Sequence, residues 1–386
     1  MKIKKVDAFV VHAQDTTKGM ENERDVGGHS GFFVLVHIQT DSGIDGWGEC
    51  STGSEFGEAA FSVKAIIDRG FTPHLIGADP LEFRKIWEKL YLSTENYGRR
   101  DAGVLAISGI DTALIDIAAK KYEVPACVLM GGCYRKEIPL YASILFDMDD
   151  PLGTVKKGAR YVEENYSAVK FGWGMTPSKP FGADRRKDEL IVSTVREKLG
   201  KNIKIMIDVG RYVNLTVPQA IQLTKWLERY DITWVEEPLP RDDFEGYCAL
   251  SRSVSTTMIA AGESYRTIHD FKRAIINRAV HLLQPDVSKA GGLSETKRIV
   301  EMAHAFNTPW VPHNWSTAVN AAASLHLVAS SPDGFLVEFK QEPNPLIQKI
   351  TKREFTIKDG KMQVPEGIGL GIEINEDIVS KYEAPN

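Results

Sequence analysis

The chain has 386 residues, 43% apolar and 26% charged, which excludes a fibre, a knottin or a peptide hormone and points to two domains or one enlarged barrel. Its 47 basic and 52 acidic side chains sum to −5 with no basic block, so no footprint for nucleic acid or another polyanion is present. The four cysteines (Cys50, Cys127, Cys133, Cys248) form no C-x-x-C pair, which argues for reduced thiols of a cytoplasmic protein and against a disulfide framework or structural zinc.

The first residues, MKIKKVDAFVV, run from lysines straight into an alternating pattern with no apolar leader, and nowhere do 18 apolar residues follow one another. Secretion and membrane insertion are therefore not expected. Strands are predicted at Ile3–Val11 and Phe32–Thr40, then a turn at Asp41-Ser42-Gly43 and a return strand through Trp47. The polar stretch Thr16–Ser30 between the first two is too long for a tight turn and has the length of a binding loop. From Gly57 to Lys121 the pattern is helical, with Leu105, Ile107, Ile110, Leu114 and Ile117 at helical spacing. This reads as an α+β segment.

After Gly131-Gly132, short apolar strands alternate with amphipathic helices. The strands are expected at Leu140–Ile144, Ala168–Trp173, Ile203–Val209, Thr233–Glu237, Met258–Glu263, His281–Asp286, Pro309–His313 and Phe335–Phe339. Eight is the number a closed parallel barrel needs. Helix boundaries are marked by Thr267-x-x-Asp270, Asn307 and Gly200. The tail from Lys352, with Gly367-Ile368-Gly369-Leu370-Gly371, lacks dinucleotide-binding spacing and is expected to fold back onto the first segment. The reading is an α/β chain: a capping segment of residues 1–127, a barrel over 128–354, and residues 355–386 completing the cap.

In a parallel barrel the strand ends converge on one mouth. Those ends carry Lys170, Asp208, Glu236, Glu263, Asp286, His313 and Glu338, and from Asp208 on they are spaced by 28, 27, 23, 27 and 25 residues. Each step is one βα unit. A single strand-end carboxylate is more often a helix cap or a solvated residue, and a lone histidine is more often structural. A shared barrel register has no such explanation. Three carboxylates from consecutive strands repel one another unless a hard cation neutralises them, so Asp208, Glu236 and Glu263 are a candidate Mg²⁺ site. Asp286 and His313 on the next strands form a candidate pair in which the carboxylate fixes the imidazole tautomer. Glu237 is expected to point away, by the strand's period of two.

These residues carry a family likeness. The sequence resembles the enolase superfamily, in its mandelate racemase-like branch with many acid-sugar dehydratases. The likeness rests on Gly46-Trp47-Gly48-Glu49, Asp111-Thr112-Ala113-Leu114-Ile115-Asp116, Leu129-Met130-Gly131-Gly132, Val235-Glu236-Glu237-Pro238, Gly262-Glu263, Gln284-Pro285-Asp286 with Gly291-Gly292, Pro312-His313, and Asn344-Pro345-Leu346. It implies a modified (β/α)7β TIM-like barrel under a cap made from both chain ends, and a homo-oligomer. It further implies Mg²⁺ on Asp208, Glu236 and Glu263, an Asp286–His313 acid–base dyad, and Glu338 bonded to an enolised carboxylate. The chemistry so implied is abstraction of the proton α to a carboxylate.

Where racemases of this branch carry Lys-x-Lys, this chain has Lys170-Phe171-Gly172, so the opposite-face base is missing. Simple racemisation is then not expected, whereas dehydration needs only His313, with Lys170 near the substrate carboxylate. The expectation is a Mg²⁺-dependent dehydratase of an acid sugar, an aldonate, giving a 2-keto-3-deoxy acid. The alternatives are an epimerase or cycloisomerase of the same superfamily, a glycoside hydrolase, disfavoured by His313 and the third carboxylate, and a non-catalytic sugar-acid binder. Arg24, His29, Trp173, Arg211, Tyr265, Asn314 and Trp315 are candidate substrate contacts, with barrel-top packing as the competing role for the aromatic ones.

Overall fold

The computed structural model describes residues 1–12, 31–54, 56–174, 179–210, 213–341 and 344–385. The Thr16–Ser30 loop, with Arg24 and His29, and also Arg211 lie outside the described residues.

β1 (Ile3–His12), β2 (Phe32–Thr40) and β3 (Asp45–Ser51) pair as an antiparallel sheet in that order, with β2 and β3 buried along nearly their whole length. The helix Ala102–Lys121 lies on it, buried on all sides from Gly103 to Ala119. Its length and composition would suit a membrane span, but 94% of its apolar window is buried inside the protein, so it is a core helix. The contact is close because β3 presents glycines: a Cβ at Gly48 would lie 1.9 Å from the Gly109 carbonyl oxygen, and one at Gly46 would lie 2.3 Å from that of Ala113.

Beyond this layer, β4 (Glu137–Leu145), β5 (Ala168–Gly172), β6 (Lys204–Asp208), β7 (Ile232–Glu236), β8 (Met258–Ala261) and β9 (Leu282–Leu283) pair in parallel in chain order. The last barrel strand, β10 (Val337–Lys340), returns to pair with β4. Between them the expected strand Pro309–His313 is reduced to a bridge from Leu283 to Trp310. The sixth strand is likewise shorter than predicted. Pro285, Pro309 and Pro312 explain both: each lacks the N–H that a ladder requires. The path persists all the same, with the N–H groups of Val311 and His313 donating to the carbonyls of Leu283 and Pro285 at 2.9 and 3.1 Å. Closure shows in the interior, where Tyr141, Ala168, Met206, Trp234, Ala260, Leu282, Val311 and Leu336, one from each strand path, form a single buried cluster.

The tail touches both layers. The hairpin β11 (Ile357–Lys358) and β12 (Lys361–Gln363) pairs antiparallel with Glu137–Pro139 of β4, the part that β10 leaves unpaired. Further on, Gly369 bridges Pro125 and Glu383 bridges Val11. The Thr267-x-x-Asp270 signal is shifted by one: Arg266 is the cap, and its N–H donates to the Asp270 carboxylate at 2.9 Å. Gly200 and Asn307 take the left-handed φ values, +81° and +53°, expected of helix stops.

Candidate active site

The polar mouth follows from the apolar layer by the strand period. Two residues beyond Ala168, Met206, Trp234, Leu282, Val311 and Leu336, on the same inward face, stand Lys170, Asp208, Glu236, Gln284, His313 and Glu338. Gln284 belongs to this ring although sequence reading gave it no role. Its signal was available, two positions after an inward leucine. Glu263 and Asp286 lie just beyond the ends of β8 and β9, and after β8 Gly262, at φ +132°, turns the chain.

Lys170 is the electrostatic centre of one half of the mouth. Its Nζ lies 2.7 Å from Glu236, 2.9 Å from Glu338 and 3.8 Å from Asp208. Burial opposes the lysine's charge, but Glu236, Glu338 and further neighbours outweigh it and raise its pKa well above the ordinary value. The second oxygen of Glu236 accepts from Gln284 Nε2 at 2.6 Å and Trp234 Nε1 at 3.2 Å. Glu338 accepts the Asn314 backbone N–H at 2.9 Å.

In the other half, His313 Nδ1 lies 2.7 Å from Asp286, and Nε2 lies 3.0 Å from Glu263 and 3.9 Å from Glu338. Burial and Lys289 oppose protonation of the ring, yet Glu263, Glu338 and Asp286 prevail and raise His313 to about 10. Asp286 also accepts from the Ser288 N–H and hydroxyl at 2.8 and 2.6 Å. Arg241 bonds both Glu237, at 2.6 Å, and Glu263. The expectation that Glu237 points away does not hold. β7 ends at Glu236, and Glu237 takes a left-handed φ of +41°, so strand alternation no longer sets its direction.

The all-carboxylate donor set suits a hard divalent cation. Asp208 gives the physical sign of a charge left uncompensated, its pKa being raised well above the ordinary value first by burial and then by Glu236. Among the described residues, however, no three acidic or imidazole groups are gathered into a ready-made metal cluster. Lys170 and Arg241 reach between the carboxylates instead.

Of the candidate substrate contacts, Asn314 is buried, and its amide donates to the Glu338 carbonyl at 3.1 Å. Tyr265 lies edge-on to Phe271 with ring centroids 5.5 Å apart, a packing contact. Trp173 backs Gly210, where a Cβ would fall 2.4 Å from it, so the tryptophan fills the gap left by that glycine. The Lys340 ammonium lies 5.0 Å from the centroid of the Trp315 ring. Sequence reading missed Arg241, Ser288, Lys289 and Asn320, which stand on loops or a helix rather than in the strand register.

Comparison with known proteins gives this arrangement its class. Residues 7–131 match the mandelate racemase / muconate lactonizing enzyme N-terminal domain, and residues 154–378 match the enolase C-terminal domain-like family. The chain belongs to this family of the enolase superfamily, whose members generally use Mg²⁺. It is 32% identical over 364 residues to D-galactarolactone cycloisomerase of Agrobacterium fabrum, covering 92% of each chain. It is 30% identical to D-xylonate dehydratase of Haloferax volcanii, over 91% of this chain and 85% of the relative. Among solved structures, the 3,6-anhydro-D-galactonate cycloisomerase from Zobellia galactanivorans superposes with a TM-score of 0.87 at 30% identity, over 100% of both chains.

Proposed function

We propose that the protein is a Mg²⁺-dependent acid-sugar dehydratase acting on an aldonate in the cytoplasm. Substrate would lie between a cap of residues 1–127 and 355–386 and a barrel of 128–354. One observation carries the choice of reaction: among the described residues, the strand that carries Lys170 offers no second lysine to the mouth. Gly172 stands on the same strand face as Lys170, two residues on, and carries no side chain that could serve as a second base. Racemisation needs a proton partner on each face of the planar intermediate, and dehydration needs one. The likeness to D-xylonate dehydratase supports the same choice.

A divalent cation held by Asp208, Glu236 and Glu263 would supply Lewis-acid neutralisation of the charge that develops on the substrate carboxylate. The chain's own groups do the rest. Lys170, held cationic by its carboxylates, orients and neutralises a carboxylate oxygen. Asp286 accepts the Nδ1 proton of His313 and so leaves Nε2 to take the α-proton once Glu263 has released it. The same Nε2 then returns that proton to the departing β-hydroxyl, and the enol product tautomerises to the 2-keto-3-deoxy acid. Glu338, dry and anchored by the Asn314 N–H, bonds the enolised carboxylate.

A cycloisomerase is the second reading, favoured by the likeness to the Agrobacterium protein, and it shares every step up to the enediolate. Incubating a panel of aldonates, aldarates and their lactones in D₂O separates the two. We expect 2-keto-acid formation from an aldonate. Lactone isomerisation without a keto acid would replace dehydration by the second reading.

A further inference from the structure

We propose that Glu49 of the capping sheet and Asn320 of the barrel are positioning residues for the Asp286–His313 dyad, so that the cap itself sets the proton-transfer geometry. Glu49, on β3, is buried and spends its carboxylate oxygens on the N-terminal end of the barrel helix Ala318–Ala329. It accepts the Thr317 hydroxyl at 2.5 Å, the Thr317 N–H at 3.2 Å and the Asn320 N–H at 3.0 Å. The two N–H groups are orphan backbone donors of that helix's N-terminal end, which a carboxylate satisfies well. The first turn is thereby pinned to the cap.

Pinning has a chemical consequence because of what Asn320 does with its side chain. Its Nδ2 donates to Asp286 Oδ1 at 3.1 Å and to Asn314 Oδ1 at 3.3 Å. Asp286 Oδ2 faces His313 Nδ1, and Asn314 holds Glu338 through both its backbone N–H and its amide. One asparagine therefore touches Asp286 directly and reaches Glu338 through Asn314. A second tie runs alongside, since the Ser51 N–H at the end of β3 donates to the carbonyl of Ser288, the residue whose own N–H and hydroxyl hold Asp286. Glu49, Asn320, Asp286 and Ser288 are all buried, so the chain of bonds runs in low dielectric, where each is stronger and its loss less easily replaced by water. Removing Asn320 takes from Asp286 Oδ1 one of its three donors, and removing Glu49 unpins the turn that carries Asn320.

This inference rests on the dehydratase reading only for its activity readout. Asn320→Leu keeps side-chain bulk and deletes the donor, while Glu49→Gln keeps an acceptor oxygen that Glu49→Ala removes. With substrate, kcat is expected to fall about ten- to a hundredfold in Asn320→Leu and Glu49→Ala at nearly constant KM, and Glu49→Gln is expected to recover most of it. Without substrate, the downfield proton signal of His313 Nδ1 bonded to Asp286, assigned by its disappearance in His313→Ala, is expected to shift or broaden in Asn320→Leu. An unchanged signal overturns the proposal whatever the enzyme turns over, and so does a kcat within twofold of the parent. A parent inactive on every acid sugar, with the Nδ1 signal still perturbed by Asn320→Leu, would refute the dehydratase reading and leave the positioning role standing. Should Glu49→Ala fail to fold, Thr317→Val with Asn320→Leu reads the same chain.

Discussion

Lys170 holds the charge balance of the mouth, and its removal should show in stability as well as in rate. Lys170→Met leaves Glu236 and Glu338 buried and unpaired. Breaking such a buried pair costs about 3–5 kcal/mol. Urea unfolding of the metal-free protein should report a loss of that order, and added Mg²⁺ should recover more stability in the variant than in the parent. His313→Ala separates the metal from the base: turnover should vanish while the Mg²⁺-dependent rise in melting temperature persists. A cation present at 100 times its Kd stabilises by about 2.7 kcal/mol. If the rise disappears with the histidine, the assignment of the three carboxylates as ligands fails.

At the scale of elements, the helix Ala318–Ala329 joins the barrel to the tail through His326. Its Nδ1 accepts the Cys127 N–H at 3.3 Å, and its Nε2 lies 3.1 Å from the Leu370 carbonyl. Burial lowers His326 from 6.5 to about 4, outweighing the Leu370 carbonyl, which favours the charged ring. The fold therefore prefers the neutral ring. That contribution is fully present above pH 6.5 and is lost as pH falls through about 4, and the shift is worth roughly 3 kcal/mol. Denaturant midpoints at pH 7 and pH 4.5 should differ by less in His326→Gln than in the parent. An equal acid loss in both would remove His326 from the account.

The strand-end residues were legible because two simple periods coincide, the inward alternation within a strand and the βα repeat between strands. Lys170, Asp208, Glu236, His313 and Glu338 satisfy both. Arg241 and Asn320 satisfy neither, since their aim depends on how a loop and a helix dock onto the barrel. Strand lengths were misjudged where prolines interrupt the ladder, and the direction of Glu237 where the strand ends one residue earlier than expected.

At the scale of the molecule, the tail meets the first segment through bridges Glu383–Val11 and Gly369–Pro125, and Gly369 packs closely there. It sits at φ +70°, and a Cβ there would lie 2.1 Å from the Asp116 carboxylate, which accepts the Leu370 N–H at 2.8 Å. Gly369→Ala should cost at least the 1–3 kcal/mol of a strained backbone, about what a melting curve resolves easily, and more if Asp116 is displaced. A variant as stable as the parent would show that the tail is not fastened there.

The pairing of β10 with β4 also fixes an order of events during synthesis. Leu140–Ser143 must wait for Val337–Lys340, and Glu49 meets its partners Thr317 and Asn320 only 268 and 271 residues downstream. A nascent chain therefore emerges with its first sheet complete while the first barrel strand still presents an open edge, the kind of surface on which other chains pair. Contacts so distant in sequence form slowly. The acid–base pair becomes chemically competent only after the closing strand Val337–Lys340 has left the ribosome.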